Sequence, residues 1–253
     1  MSKEEGFTMK GVFPSCRCVS HDRRGLLRLG GAAAVTLGCG LFAPIVHAVA
    51  LSKAQRDSMS PEQILQLMKK GNDRFRKGQR GSRDFLAQQR VTAAGQYPAA
   101  ILLSCIDSRA PAETIMDLGI GDIFNARVAG NIANDDILGS MEFACKVAGA
   151  KVVLVMGHTA CGAIKGAIDN AELGNLTGLL AKIKPAVKAT DYDGPHTAAN
   201  VAYVDAVART NVALTMAEIR SRSGVLREME GDGAVRIAGA MYDLQTGAVD
   251  FFP

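Results

Sequence analysis

Two short apolar runs, Ala99–Ser104 (AAILLS) and Lys151–Met156 (KVVLVM), constrain the fold more than any other feature. Runs of this length with no polar alternation read as strands covered on both faces, the situation of a parallel sheet. The second run is also rich in β-branched residues, which favour strands. Each run leads directly into residues able to do chemistry. Cys105-Ile106-Asp107-Ser108-Arg109 follows the first, and His158-Thr159-Ala160-Cys161 closely follows the second. In open α/β sheets, ligands bind beyond the carboxyl ends of strands, where the strand order reverses. If the two strands are neighbours, their loops converge on one point.

The intervening chain alternates helical and strand patterns. Ser60-Pro61-Glu62 is a helix start, with Ser as N-cap and Pro in the first turn. That helix is expected to end near Gly71 or to run on to Gly78, and a short second helix is expected over Arg83–Arg90. Gly95-Gln96-Tyr97-Pro98 is a turn. A strand is predicted at Ile123–Ala126, and helices at Ile137–Ala148, Gly162–Ile168, Leu176–Ala189 and Ala198–Arg222. Ala234–Tyr242 and Ala248–Phe251 read as closing strands of a hairpin around Gln245-Thr246-Gly247. The expected class is therefore α/β: a mostly parallel central sheet flanked by helices, with an N-terminal helical arm. At 253 residues and 48% hydrophobic, the chain has room for one substantial core. It shows no internal repeat, low-complexity tract or second-domain linker.

The net charge of +4 is concentrated at one end. Residues 1–50 hold six Lys/Arg against three acids, leaving 23 basic and 22 acidic residues in the remainder. A folded part this balanced has no dense basic patch for nucleic acid. Arg220, Arg222 and Arg227 are close in sequence, and are expected on a solvated helix face. Residues 1–50 read as a targeting segment, with the folded domain at 51–253. Asp22-Arg23-Arg24-Gly25-Leu26-Leu27-Arg28 is similar to a twin-arginine export motif. An apolar stretch rich in Gly and Ala follows from Leu29 to Val49, and Ala48-Val49-Ala50 is a small-x-small cleavage site; cutting after Ala48 is the other option. The expected location is periplasmic or otherwise exported, with no stable membrane span after processing. The alternatives are an N-terminal helix of the mature fold or an uncleaved anchor. Cys16, Cys18 and Cys39 fall in this segment, and the flanks of Cys39 fit a lipidation site poorly. The remaining Cys105, Cys145 and Cys161 are an odd number and do not form a disulfide framework.

Two thiolates and an imidazole, from Cys105, His158 and Cys161, are the donor set that suits zinc. Three protein ligands leave a fourth tetrahedral position free, as a catalytic site requires. Each donor alone has a bland reading: a lone Cys after a strand is usually a small buried hydrophobe, and a lone His is usually structural. The spacing His158-x-x-Cys161 and the company of Asp107 and Arg109 beside Cys105 argue for a constellation. Cys145, inside a predicted helix, is expected in the core.

At these residues the sequence resembles the β-class carbonic anhydrases, whose signature is Cys-x-Asp-x-Arg followed by His-x-x-Cys-Gly. Lys70-Gly71-Asn72-Asp73-Arg74-Phe75, Gly95-Gln96-Tyr97-Pro98 and Arg127-Val128-Ala129-Gly130-Asn131 also fit, so the resemblance covers about residues 60–253. It implies Cys105, His158 and Cys161 as zinc ligands, and carbon dioxide and bicarbonate as substrates. It further implies that Asp107 accepts a hydrogen bond from the attacking hydroxide, while Arg109 keeps Asp107 ionised and turned from the metal. Gln96 would help hold substrate from across a homodimer interface, and Gly162 would let the backbone approach the site or simply permit the turn. An inhibitory bicarbonate site in some members uses a Trp, an Arg and a Tyr. Arg127 and Tyr242 match, but Leu102 stands at the Trp position and the chain has no Trp. That site is therefore not expected, and Arg127 is assigned to a dimer interface or an ion pair. His196 is a candidate proton shuttle, against the plainer reading of an exposed loop residue. Two other functions share the motifs: a zinc hydrolase of carbon disulfide or carbonyl sulfide, and a non-catalytic zinc module closed by Asp107.

Overall fold

The computed structural model describes residues 50–253, so residues 1–49, with nearly all of the segment read above as an export signal and its three cysteines, lie outside the described residues. The elements run α1 (Lys53–Ser58), α2 (Pro61–Arg76), α3 (Phe85–Thr92), β1 (Ala100–Ser104), α4 (Ala112–Ile115), β2 (Ile123–Arg127), α5 (Asp135–Glu142), β3 (Val152–His158), α6 (Gly162–Ile168), α7 (Gly174–Ala181), α8 (Lys184–Ala189), α9 (Val201–Arg222), α10 (Gly224–Gly231), β4 (Arg236–Tyr242) and β5 (Val249–Phe251). The sheet order is β2-β1-β3-β4-β5, with the first four strands parallel and β5 antiparallel to β4.

Alternation along the strands sends side chains to two separate cores. Ile101, Leu103, Val153, Val155 and Ile237 face α5, α6, α8 and α9. Ala100, Leu102, Val152, Leu154 and Ala240 face α2 and α4. β1 and β3 are buried at every position, which is why their sequences show no polar alternation. β2 lies at the edge and is only partly covered. No helix among the described residues is long and apolar enough to cross a membrane.

The sequence places most elements correctly and misreads a few. Ser60 and Gln63 form a reciprocal capping box at the start of α2, as the Ser-Pro signal suggests. The helix passes through Gly71 and stops at Arg76, before Gly78 at φ +65°. Gly71 is a packing residue: a Cβ there would stand 1.9 Å from the Met116 carbonyl oxygen. The single helix expected over Leu176–Ala189 is two, α7 and α8. Pro185 lies in the first turn of α8, where its missing N–H costs nothing, whereas a continuous helix would need that donor. α5 continues through Phe143–Val147 as a wider π turn before Gly149 at φ +82°. The sequence reading does not anticipate α1, α4 or α10; α1 and α4 are too short to show a periodicity. The closing hairpin is present, its turn held by Asp243 Oδ1 accepting from the Gln245 and Thr246 amides at 2.7 and 3.0 Å.

Arg220, Arg222 and Arg227 are not simply solvated. Arg220 pairs with Glu230 at 2.7 Å and donates to the Ile237 carbonyl, Arg222 pairs with Asp135 and Glu218, and Arg227 donates to the Arg220 and Ser221 carbonyls. They fasten α9 to α10, β4 and α5. Cys145 is buried in the core, as expected.

Candidate metal centre

β1 and β3 are parallel neighbours, with Ser104 opposite Met156. β1 connects onward to β2 on one side and β3 lies on the other, so the strand order reverses between them. Cys105 leaves the end of β1, His158 is the last residue of β3, and Cys161 caps the start of α6. All three are buried. Their ligand atoms lie within 4.8 Å of one another, the two sulfurs 4.0 Å apart. A disulfide would need about 2.05 Å. Two thiolates on a tetrahedral zinc, each about 2.3 Å from the ion, stand about 3.8 Å apart.

The imidazole supplies a second test of fit. His158 Nδ1 lies 2.9 Å from the Thr159 carbonyl oxygen, which can only accept, so Nδ1 carries the hydrogen and Nε2 the lone pair. Nε2 is buried with no hydrogen-bond partner. A buried acceptor beside two sulfurs fits the role of a metal ligand. The thiols agree. The Cys161 thiol donates toward Cys105 and, helped by the Gly130 N–H at 3.4 Å, holds Cys105 down to about 4 despite burial. The Cys105 thiolate in turn, together with burial, pushes Cys161 up. Two thiolates this close conflict unless a cation lies between them.

Asp107 sits at the rim. Arg109 reaches it three times: Nε to Oδ1 at 3.0 Å, Nη2 to Oδ2 at 2.8 Å, and its backbone N–H to Oδ1 at 2.9 Å. The Arg109 guanidinium holds the Asp107 carboxyl well below the usual carboxylate range. Asp107 Oδ2 is 3.9 Å from His158 Nε2, so the carboxylate borders the three donors while remaining paired with Arg109.

The structure brings Cys105, His158, Cys161, Asp107 and Arg109 together, with Gly162 and Arg127 beside them, and places Gln96 and His196 elsewhere. Gln96 is exposed and precedes β1. Five strand residues, about 16 Å, separate it from the carboxyl end where the donors lie. Gly162 begins α6 directly after Cys161, with open space where a Cβ would be, so the turn does not require glycine there. His196 is exposed, stacked on Tyr203 with ring centroids 4.5 Å apart and its Nε2 2.9 Å from the Tyr192 carbonyl oxygen. Leu102 is wholly buried on the α2 face of the sheet.

For Arg127 the ion-pair alternative is corrected. It makes no ion pair among the described residues; its Nε and Nη2 donate to the Cys105 and Asp107 carbonyls at 3.0 and 2.6 Å, shaping the loop that carries both. Sequence reasoning missed two residues of α9. Asp205 Oδ1 accepts the Ala160 amide at 2.7 Å, and Asn211 Nδ2 donates to the Gly130 carbonyl at 2.8 Å. Neither sits near a motif, and nothing in the linear pattern of α9 marks them.

A parallel α/β sheet with two thiols and an imidazole gathered at its switch point defines a protein with a mononuclear metal pocket. The carbonic anhydrase family profile matches residues 100–249. Carbonic anhydrase 2 of Mycobacterium tuberculosis is 32% identical over 194 residues, 74% of this chain and 91% of that protein. A β-carbonic anhydrase crystal structure from Aspergillus fumigatus is 28% identical with a TM-score of 0.56, covering 64% of this chain and 79% of that one. A Sordaria macrospora β-carbonic anhydrase, described as tetrameric, shares the fold at 24% identity and a TM-score of 0.56, over 63% of this chain and 83% of its own. The chain belongs to the carbonic anhydrase family, in its β class.

Proposed function

We propose that this chain is a zinc-dependent carbonic anhydrase, converting carbon dioxide and water to bicarbonate and a proton, and back. The observation that carries the reading is the convergence of Cys105, His158 and Cys161 beside an Arg-paired Asp107. Zinc held by those three residues supplies the Lewis acidity that makes water nucleophilic near neutral pH. The protein must then aim that nucleophile. An ionised carboxylate only accepts hydrogen bonds, so Asp107 would accept one from the O–H of the attacking nucleophile and leave a lone pair facing carbon dioxide. Arg109 keeps Asp107 ionised and away from the metal. Its side chain is 60% exposed, so the site opens to water that can carry off the released proton. Stopped-flow carbon dioxide hydration on zinc-replete protein is expected to show turnover rising between pH 6.5 and 9, as the nucleophile deprotonates. Absence of turnover throughout that range overturns the reading. A parallel assay with carbon disulfide and carbonyl sulfide separates the related hydrolases.

The finer reading is a homo-oligomer, a homodimer at least, exported through the twin-arginine route. Gln96 lies too far along the sheet to serve its own donors, so its amide reaches substrate only in a second copy. Phe85, Leu86 and Val91 on α3 are large apolar side chains left exposed nearby in sequence, where an interface would cover them. Arg23-Arg24, the apolar stretch and Ala48-Val49-Ala50 support export. Native mass spectrometry of protein recovered from the producing cell's exported fraction is expected to show at least two chains, each lacking residues 1–48 or 1–50. A monomer overturns the first reading and an intact amino terminus the second.

A further inference from the structure

α9 reaches the His158–Cys161 loop, and the Gly130 loop that donates to Cys105, through side chains that are not themselves donors to the metal. Asp205 takes the amide of Ala160, the residue immediately before Cys161. Ala160 is left-handed, φ +54°, an uncomfortable conformation for a residue with a Cβ. That turn is what folds the chain back. Continued in the direction of β3, three residues would carry Cys161 about 10 Å beyond His158; instead its sulfur lies 4.0 Å from that of Cys105. On the other loop, Gly130 gives its N–H to Cys105 Sγ at 3.4 Å and its carbonyl to Asn211. Gly130 is also left-handed, φ +69°, and a Cβ there would stand 2.5 Å from Ile183 Cδ1. Asn211 is itself buried. Six residues separate Asp205 from Asn211, about 9 Å along a rigid helix.

We propose that Asp205 and Asn211 are positioning residues that fix the His158–Cys161 loop and the Cys105-binding Gly130 loop to one helix, and so set how tightly the site holds zinc. This rests on the zinc reading above. The role asks only for an acceptor at 205 and a donor at 211, so it makes a distinction between substitutions. Asp205→Asn keeps an acceptor oxygen for Ala160, and Asp205→Ala does not.

The test times zinc transfer from the holoenzyme to a coloured chelator, and records the visible and thiolate charge-transfer absorption of the cobalt-substituted protein. Asp205→Ala and Asn211→Ala are each expected to release zinc about 10- to 100-fold faster, the range for lost outer partners of metal ligands, and to alter the cobalt bands. Asp205→Asn is expected to restore slow release. Arg209→Ala, on α9 but bonded to Asp250 instead, controls for general loosening of the helix. Wild-type release with an unchanged cobalt spectrum in both alanine variants overturns the proposal, even if their melting temperatures fall. Asp205→Asn releasing zinc as fast as Asp205→Ala overturns the hydrogen-bond role. A wild-type protein that binds no stoichiometric zinc instead overturns the underlying zinc reading.

Discussion

Cys161→Ser is expected to lose zinc and carbon dioxide hydration together. Serine keeps its proton at neutral pH, so it brings no thiolate to the ion, and the remaining set is one sulfur and one nitrogen. Removing a partner that merely orients a ligand costs 10- to 100-fold in affinity, so removing a ligand is expected to cost more than about 100-fold. The fold should tolerate the change. Cys161 occupies the N-cap of α6, a position where Ser is among the preferred residues. Loss of metal in a protein with unchanged circular dichroism therefore reports on ligation. Cys145→Ser is the contrasting case. Its thiol is pushed up to about 12 by burial alone, with no charged partner, and it packs in the core behind the sheet. It is expected to lose stability and keep stoichiometric zinc. Full zinc content in Cys161→Ser overturns the ligand assignment.

That contrast shows why the donors were legible in the sequence. Cys105 and His158 sit at the ends of strands whose every residue is buried, and continuous apolar runs announce such strands plainly. The parallel order then does the rest, because neighbouring parallel strands end on the same edge. Asp107 and Arg109 were legible for a local reason: a carboxylate and a guanidinium two residues apart can close on each other within one turn. The supports were not legible. Arg127, Asp205 and Asn211 act on backbone groups of loops remote in sequence, and a hydrogen bond to a carbonyl or amide leaves no mark on the residue it serves. The end of α2 stays open between Gly71 and Gly78 in the sequence for a related reason. Gly71 looks like a stop, but its missing side chain makes room for the carbonyl of Met116, the residue that ends α4, a contact only the folded chain contains.

Asp117→Ala is expected to be among the most destabilising single changes outside the metal centre, by about 3–5 kcal/mol at pH 7, the usual cost of breaking one side of a buried ion pair. Asp117 is wholly buried at the turn between α4 and β2. Its Oδ2 accepts Arg74 Nε at 2.6 Å and the Gly81 amide at 3.2 Å, and its Oδ1 faces Arg83 at 3.5 Å and Arg80 at 3.8 Å. One carboxylate thus ties α2 and the segment between α2 and α3 to the sheet. Without it, Arg83 keeps the backbone carbonyl of residue 117 but no carboxylate nearer than Asp122, at 3.9 Å, while its Nε is already buried and unpaired. The pH dependence follows the same charges. Burial pushes the Asp117 carboxyl up, but the hydrogen bonds from Arg74 and Gly81 and the charge of Arg83 outweigh it, so it titrates below its ordinary value. A group lowered on folding stabilises fully above its unfolded pKa, about 3.9, and loses that contribution as pH falls through its folded value. Urea unfolding of wild type and Asp117→Ala from pH 7 to pH 3 is the measurement. The gap between the two curves is expected to hold down to about pH 4 and narrow below it. Because both proteins protonate their cysteines and lose metal alike on acidification, the difference isolates Asp117. A gap under about 1 kcal/mol at pH 7, the scale of an exposed pair, would mean that the arginines find other partners and that the arm is held by apolar packing alone.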